Sequence, residues 1–148
     1  MPNNNQQSSK DQSQLHTLFE SIRKAHHDKK AAGIVAAYAP DARIFDLAPP
    51  LSHRGMDQSQ LQAWLDGWET PVDIEPRDFE YVIDGDLAFG HGFLQMSGKK
   101  PGGPPVKFWM RATVALQRRN GEWRIIHDHT SVPFYMDGSL RGAFDLNP

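Results

Sequence analysis

From Asp11 onward the apolar positions fall into a helical stripe: Leu15, Leu18, Phe19 and Ile22 recur at i, i+3, i+4 and i+7. The residues before it, 1–10, are polar and low in complexity. Such a stretch cannot bury enough apolar surface to offset chain entropy, so it is expected to form a disordered tail. His26-His27-Asp28 reads as the cationic end of the first helix. A shorter helix follows, with Ile34, Val35 and Tyr38 facing inward and Pro40 stopping it at Ala39. Ala42–Leu47 has the branched and aromatic content of a strand, and Pro49-Pro50 bars its continuation as a central one. Asp57 is placed to N-cap a third helix, with Gln60 positioned for a capping box. Leu61, Trp64, Leu65 and Trp68 give that helix an aromatic face, and Pro71 ends it.

Beyond Pro71 the period changes to two. Phe79, Tyr81 and Ile83 alternate, Asp84-Gly85 offers a two-residue hairpin turn, and residues 86–97 return. Lys99–Pro105 is a connection, Val106–Arg118 a long strand, Asn120-Gly121 a second hairpin turn, and Glu122–Val132 the last strand. Helices first and an antiparallel meander afterwards predict an α+β fold with three N-terminal helices on one face of the sheet. The expected organisation is a tail over 1–10, one domain over 11–132, and a C-terminal extension over 133–148 suited to a dimer interface.

Composition narrows the chemistry. The 148 residues suit one domain. Sixteen Lys and Arg against eighteen Asp and Glu leave no cationic excess for a nucleic-acid role. There is no cysteine, hence no disulfide, thiolate nucleophile or zinc–thiolate site. No apolar run reaches the roughly 18 residues of a membrane helix, and the N-terminal stretch lacks the basic and apolar regions of a secretory signal. A cytoplasmic protein with no membrane partner is expected. The Lys99–Pro105 loop lacks phosphate-cradle spacing, and no Ser-centred nucleophile elbow occurs. Carboxylates and imidazoles are what remain.

Strand alternation sorts the candidates. Phe108, Met110, Ala112, Val114 and Leu116 share one face of the long strand, opposite Trp109, Arg111 and Thr113. Trp123, Ile125, His127, His129 and Ser131 share one face of the last strand, opposite Arg124, Ile126, Asp128 and Thr130. Leu87, Phe89, His91 and Phe93 lie together. Asp46, flanked by Phe45 and Leu47, is a candidate general base, or else the structural partner of Arg111 or a histidine. Arg111 is a candidate clamp for a ligand carbonyl or carboxylate, or else an internal ion pair or an exposed position. His127 and His129 are candidate acid/base or hydrogen-bonding groups, or else satisfied structural histidines. With Asp46 they would make a two-His, one-carboxylate set, but no third local ligand follows at fixed spacing, so neither metal nor cofactor is expected. His91, between Gly90 and Gly92, marks a bulge or a close backbone approach. Tyr38, Trp64, Trp68, Phe89, His91 and Trp109 are candidates to line an apolar ligand site, with core packing the commoner role of such aromatics. His16, His26 and His27 read as solvated, His53 as a rim residue, and Trp123 as packing or a dimer contact.

The runs Gly33–Asp46, Arg54-Gly55 and Gly121–Ser131, with this order of elements, resemble the SnoaL-like and ketosteroid-isomerase-like branch of the NTF2-like superfamily over about residues 12–132. The resemblance implies a strongly curved sheet wrapped around three helices into a cone, a pocket at its mouth, and a homodimer. That scaffold hosts isomerases, dehydratases, cyclases and binding modules alike. Ketosteroid isomerase uses an Asp base with a Tyr and a protonated Asp as oxyanion donors. By resemblance the base falls on Asp46. The Tyr position falls near Ile22 and the acid position near Arg111 or Thr113, so neither oxyanion donor is matched. The resulting expectation is a hydrophobic pocket with Asp46, Arg111, His127 and His129 as its polar floor. It would carry out cofactor-free proton transfer (isomerisation, dehydration or cyclisation) on a small, mostly apolar carbonyl compound. The alternative is a non-catalytic dimeric ligand-binding module. The catalytic reading calls for a deep cavity with Asp46 within hydrogen-bond reach of a His or Arg.

Overall fold

The computed structural model describes residues 4–148, with side chains from Gln6 onward. Helix α1 runs Asn4–His27, α2 Ala31–Val35 and α3 Gln58–Asp66. The strands are β1 Tyr38–Phe45, β2 His53–Arg54, β3 Asp73–Asp84, β4 Leu87–Lys99, β5 Pro105–Arg119 and β6 Glu122–Ser131. They form one curved, unclosed sheet in the order β2-β1-β6-β5-β4-β3, antiparallel except where β1 runs beside β6. The helices pack on its inner face, so the α+β cone stands as expected.

The boundaries differ where distant contacts decide them. Residues 4–10, expected in the tail, belong to α1, while residues 1–3 lie outside the described residues. The anchor is Asp11, only 3% exposed. Arg118 Nη1 and Nη2 donate to its two carboxylate oxygens at 2.9 and 3.0 Å, and Gln7 Nε2 donates to Oδ1 at 3.0 Å. Tyr38, expected on the second helix, instead opens β1. The helix stops at Val35, and Ile125 N donates to Ala37 O at 2.9 Å, drawing the chain into the sheet before Pro40 is reached. β1 ends at Phe45, leaving Asp46 and Leu47 past the strand.

Turn chemistry follows the sequence closely. Asp57 caps α3, accepting from Gln60 N at 2.9 Å. Asn120 and Gly121, with φ of 52° and 78°, both take the left-handed conformation that matches strand twist in a two-residue hairpin. Asp84 pairs with Leu87, so the first hairpin turns on Gly85-Asp86, one residue later than expected.

The core forms where α1 meets the inner face. Leu15, Leu18, Phe19 and Ile22 pack against Ala88, Val114, Leu116, Trp123 and Ile125. A second cluster joins Ala25, Ala31, Ile34, Leu65, Trp68 and Val72. Gly90 and Gly92 mark a close approach: a Cβ there would stand 2.6 Å from the Tyr81 ring and 2.7 Å from Phe79 Cα. Those rings lie against Phe19, and the register of β3 shifts between Arg77 and Glu80, opposite the two glycines. After β6 the chain folds back on itself. Phe134 bridges Gly142, Ala143 is buried, and Phe144 meets Phe108 edge-on at 5.0 Å.

Arg118 also lies over the Trp123 ring at 4.6 Å and joins the start of α1 to the sheet. Replacing Asp11 with Asn removes the two-pronged partner of Arg118, whose Nε keeps its bond to the exposed Asp86 at 3.0 Å. Stability should fall by roughly 2–4 kcal/mol, read as a lower denaturant midpoint, with helicity lost first from the N-terminal turns of α1.

Candidate functional site

Strand β6 carries one residue more than its partner. Leu116 pairs with Ile125 but Ala115 pairs with His127, so Ile126 is an inserted residue. A bulge of this kind reverses which side chains face which way beyond it, because the period of a strand is two. Trp123 and Ile125 face the core as expected. Past Ile126, Asp128 and Thr130 sit opposite the buried Val114 and Ala112 and therefore turn inward. His127, His129 and Ser131 sit opposite Ala115, Thr113 and Arg111 and turn outward.

The inward position of Asp128 brings it to Tyr38. Tyr38 Oη donates to Asp128 Oδ2 at 2.5 Å, and no hydrogen bond to Oδ1 is present among the described residues. Ile44 pairs with Asp128 across the parallel β1–β6 ladder, so the carboxyl lies at the inner side of that seam. Burial pushes the Asp128 carboxyl above the usual carboxylate range. The Tyr38 hydrogen bond opposes this, the charge of Asp46 adds to it, and His127 and His129 act weakly against it. Tyr38 is held well above the usual phenol range, by burial first and then by Asp128 and Asp46. It is therefore a neutral donor at physiological pH. The sequence points to proton chemistry at neither group, because regular alternation puts Asp128 on the outer face and the periodicity around Tyr38 is helical.

Beside this pair, at the ends of β1 and β6, lies an open groove of about 570 Å³. Phe45, Asp46, Leu47, Leu51 and Ser52 line it from the β1 side, and His129, Thr130, Ser131 and Val132 from β6. Asp46 is solvent-exposed and its Oδ1 accepts from Leu47 N at 2.7 Å. Its charge is nevertheless felt by both Asp128 and Tyr38, which ties the groove to the inner pair.

The expected polar floor is thus divided. Asp46 and His129 meet at the groove, but the groove is open where a deep cavity was expected, and no hydrogen bond joins Asp46 to a His or Arg among the described residues, so neither condition set for a catalytic site is met. Arg111 is exposed on the outer face, where its Nε donates to Ser131 Oγ at 3.1 Å. His127 also faces outward. Its Nδ1–H donates to Arg43 O at 2.8 Å, which fixes the tautomer, and its ring meets Phe45 edge-on at 4.9 Å. The expected ligand-lining aromatics divide as well. Tyr38 is inside. Trp68 belongs to the core, with Trp64 edge-on to it at 5.7 Å and half-exposed. Phe89, His91 and Trp109 lie on the outer face, paired with Ala115, Thr113 and Gln95, and Arg77 lies over Trp109 at 5.8 Å. His26, expected to be solvated, is partly buried and bonded through Nδ1 to Ile22 O at 2.9 Å. Burial lowers its pKa. Among the described residues no group of three or more His, Asp or Glu is placed to hold a metal ion, and no helix is long and apolar enough to cross a membrane.

Helices packed on a curved, unclosed mixed sheet make the NTF2-like α+β cone. Residues 15–135 match the model of the SnoaL-like domain, and the chain belongs to that family. It is similar over 95% of its length, and 98% of the other chain, to an NTF2-like protein of unknown function from Pseudomonas putida KT2440, with 30% identity and a TM-score of 0.83. A candidate dehydratase of the NTF2-like family from Streptomyces avermitilis shares 14% identity over 83% of this chain and 96% of that one, with a TM-score of 0.72. A candidate scytalone dehydratase from Novosphingobium aromaticivorans DSM 12444 shares 10% over 92% and 93%, with a TM-score of 0.73. These last two likenesses are of fold. No curated protein sequence matches the chain.

Because the Asp128 pKa is raised on folding, the native state holds a proton that the unfolded chain has already released. Stability therefore falls as pH rises from about 4, the unfolded carboxyl value, through the folded one. Asn at position 128 keeps an acceptor for Tyr38 without the charge. The melting temperature of Asp128→Asn relative to wild type should rise with pH across that window and then level off. A difference independent of pH would contradict the inward placement of this carboxyl.

Proposed function

We propose that this protein binds a small, mostly apolar carbonyl compound in the groove and moves a proton on it without a cofactor, in a reaction of isomerase, dehydratase or cyclase type. The observation that carries the reading is the coupling of two carboxyls in different surroundings. One is inward, held toward its protonated form and bonded to a neutral Tyr38; the other stands in the groove wall, open to solvent. In such a pair the charge of the inner carboxyl tunes the proton affinity of the outer one, which is the group that can act as base. Asp46 is suited to accept the proton from a carbon next to the carbonyl. The bonding pair left behind enters the carbonyl system, and a proton returned to carbon or oxygen completes an isomerisation. Loss of a neighbouring hydroxyl as water completes a dehydration. The proton is returned from Asp46 or from water in the open groove; Asp128, which does not line the groove, acts on Asp46 through their mutual charge, with Tyr38 holding its carboxyl in place. The two dehydratase-named neighbours are compatible with this reading through fold alone.

A second reading, a ligand-binding module without catalysis, draws support from the openness of the groove and from the solvent exposure of Asp46 and His129. One experiment separates the two. Enolisable ketones and β-hydroxy ketones are incubated with the protein in D2O, and deuterium entry next to the carbonyl is followed by NMR. The catalytic reading predicts exchange above the buffer rate. Asp46→Asn should lower it by roughly a hundredfold or more, whereas Asp128→Asn and Tyr38→Phe should shift its pH profile. Ketone binding with no exchange in the wild type would leave the binding module standing and the catalytic reading overturned.

A further inference from the structure

Arg43 and Arg111 each hold a serine of the groove from behind. Arg43 Nη1 donates to Ser52 Oγ at 3.2 Å, and Arg111 Nε donates to Ser131 Oγ at 3.1 Å. Both serines line the groove and neither arginine does. Neither arginine has a carboxylate partner among the described residues. A hydroxyl has one donor and two acceptor sites, whereas a guanidinium only donates. Each serine oxygen therefore accepts from an arginine, and its O–H is left free to donate, with no acceptor for either present among the described residues. An O–H whose oxygen accepts from a cation is polarised into a stronger donor.

We infer that Ser52 and Ser131 are the groove's electrophilic donors, and that they take the ligand by an uncharged carbonyl oxygen on which negative charge develops only during reaction. The positive charges act through the hydroxyls instead of meeting the ligand directly. No Lys or Arg lines the groove to neutralise a carboxylate, and Asp46 in its wall repels one. The donor pair thus supplies what the expected direct clamp by Arg111 does not. Ser52 and Ser131 contact the ligand; Arg43 and Arg111 are positioning residues. The choice of a carbonyl ligand rests on the proton-transfer reading above, but the donor assignment rests on the two hydrogen bonds.

Acetophenone and benzoate, similar in size and differing in charge, are the probes, with binding followed by ligand-observed NMR. The wild type should bind acetophenone at least about tenfold more tightly than benzoate. Ser52→Ala and Ser131→Ala should each weaken acetophenone binding by roughly tenfold while leaving the melting temperature unchanged. Arg111→Gln should weaken binding when Ser131 is present and have little further effect in Ser131→Ala, the coupling expected if the arginine acts through the hydroxyl. No acetophenone binding, equal binding of benzoate, unchanged binding in both serine variants, or an undiminished Arg111→Gln effect without Ser131 would each overturn the assignment. If ketones exchange deuterium but the serine variants bind and exchange as wild type does, the donor assignment falls alone. If binding depends on the serines but no ketone exchanges, the proton-transfer reading falls alone.

Discussion

One inserted residue in the last strand governs the chemistry of this molecule. With Ile126 bulged out of register against β5, every side chain after it exchanges faces. Without the bulge, two imidazoles would enter the cone and Asp128 would meet solvent. With it, the imidazoles line the outer face beside Phe45, and a single carboxyl enters the interior. A carboxyl there needs a hydrogen-bond donor, and Tyr38, at the first position of the adjoining parallel strand, provides one at 2.5 Å. Bulge, carboxyl and phenol are therefore one unit, and the sheet seam between β1 and β6 is where local geometry and proton chemistry meet.

The same seam shapes the groove. Because β1 ends at Phe45 and β6 at Ser131, both strand ends contribute to one concave surface on which inward-series residues (Asp46, Thr130) and outward-series residues (His129, Ser131) lie side by side. Arginines on the outer face reach this surface only through serine hydroxyls. The guanidinium charge is thus kept one hydroxyl away from any ligand, while the Asp46 carboxylate stands in the groove wall. That arrangement suits stabilisation of charge that appears during a reaction better than capture of charge that a ligand already carries.

Much of the fold was legible because its signals are local. The Leu15–Ile22 stripe, the Asp57 cap, the alternation of Met110, Ala112, Val114 and Leu116, and the Asn120-Gly121 turn all act within a few residues, and the chain obeys each of them. Features fixed at long range were not legible. The early start of α1 depends on Asp11 meeting Arg118, 107 positions away. Tyr38 joins a strand because Ala37 is bonded to β6, against the helical reading of its own neighbourhood. The site suffered most. Asp46 is marked by its apolar neighbours and does reach the groove, but unbroken alternation along β6 puts the histidines inside and Asp128 outside. A bulge leaves no mark in the alternation of one strand; it is defined by the count of residues in its partner.

The central claim is that Asp128 is an inward carboxyl governed by Tyr38, and carboxyl-carbon NMR of the labelled protein measures it directly. Asp128 should titrate above the ordinary aspartate range, and further above it in Tyr38→Phe, since the phenol hydrogen bond favours the ionised form. An Asp128 signal that titrates like that of a solvent-exposed aspartate, unmoved by Tyr38→Phe, would contradict the account.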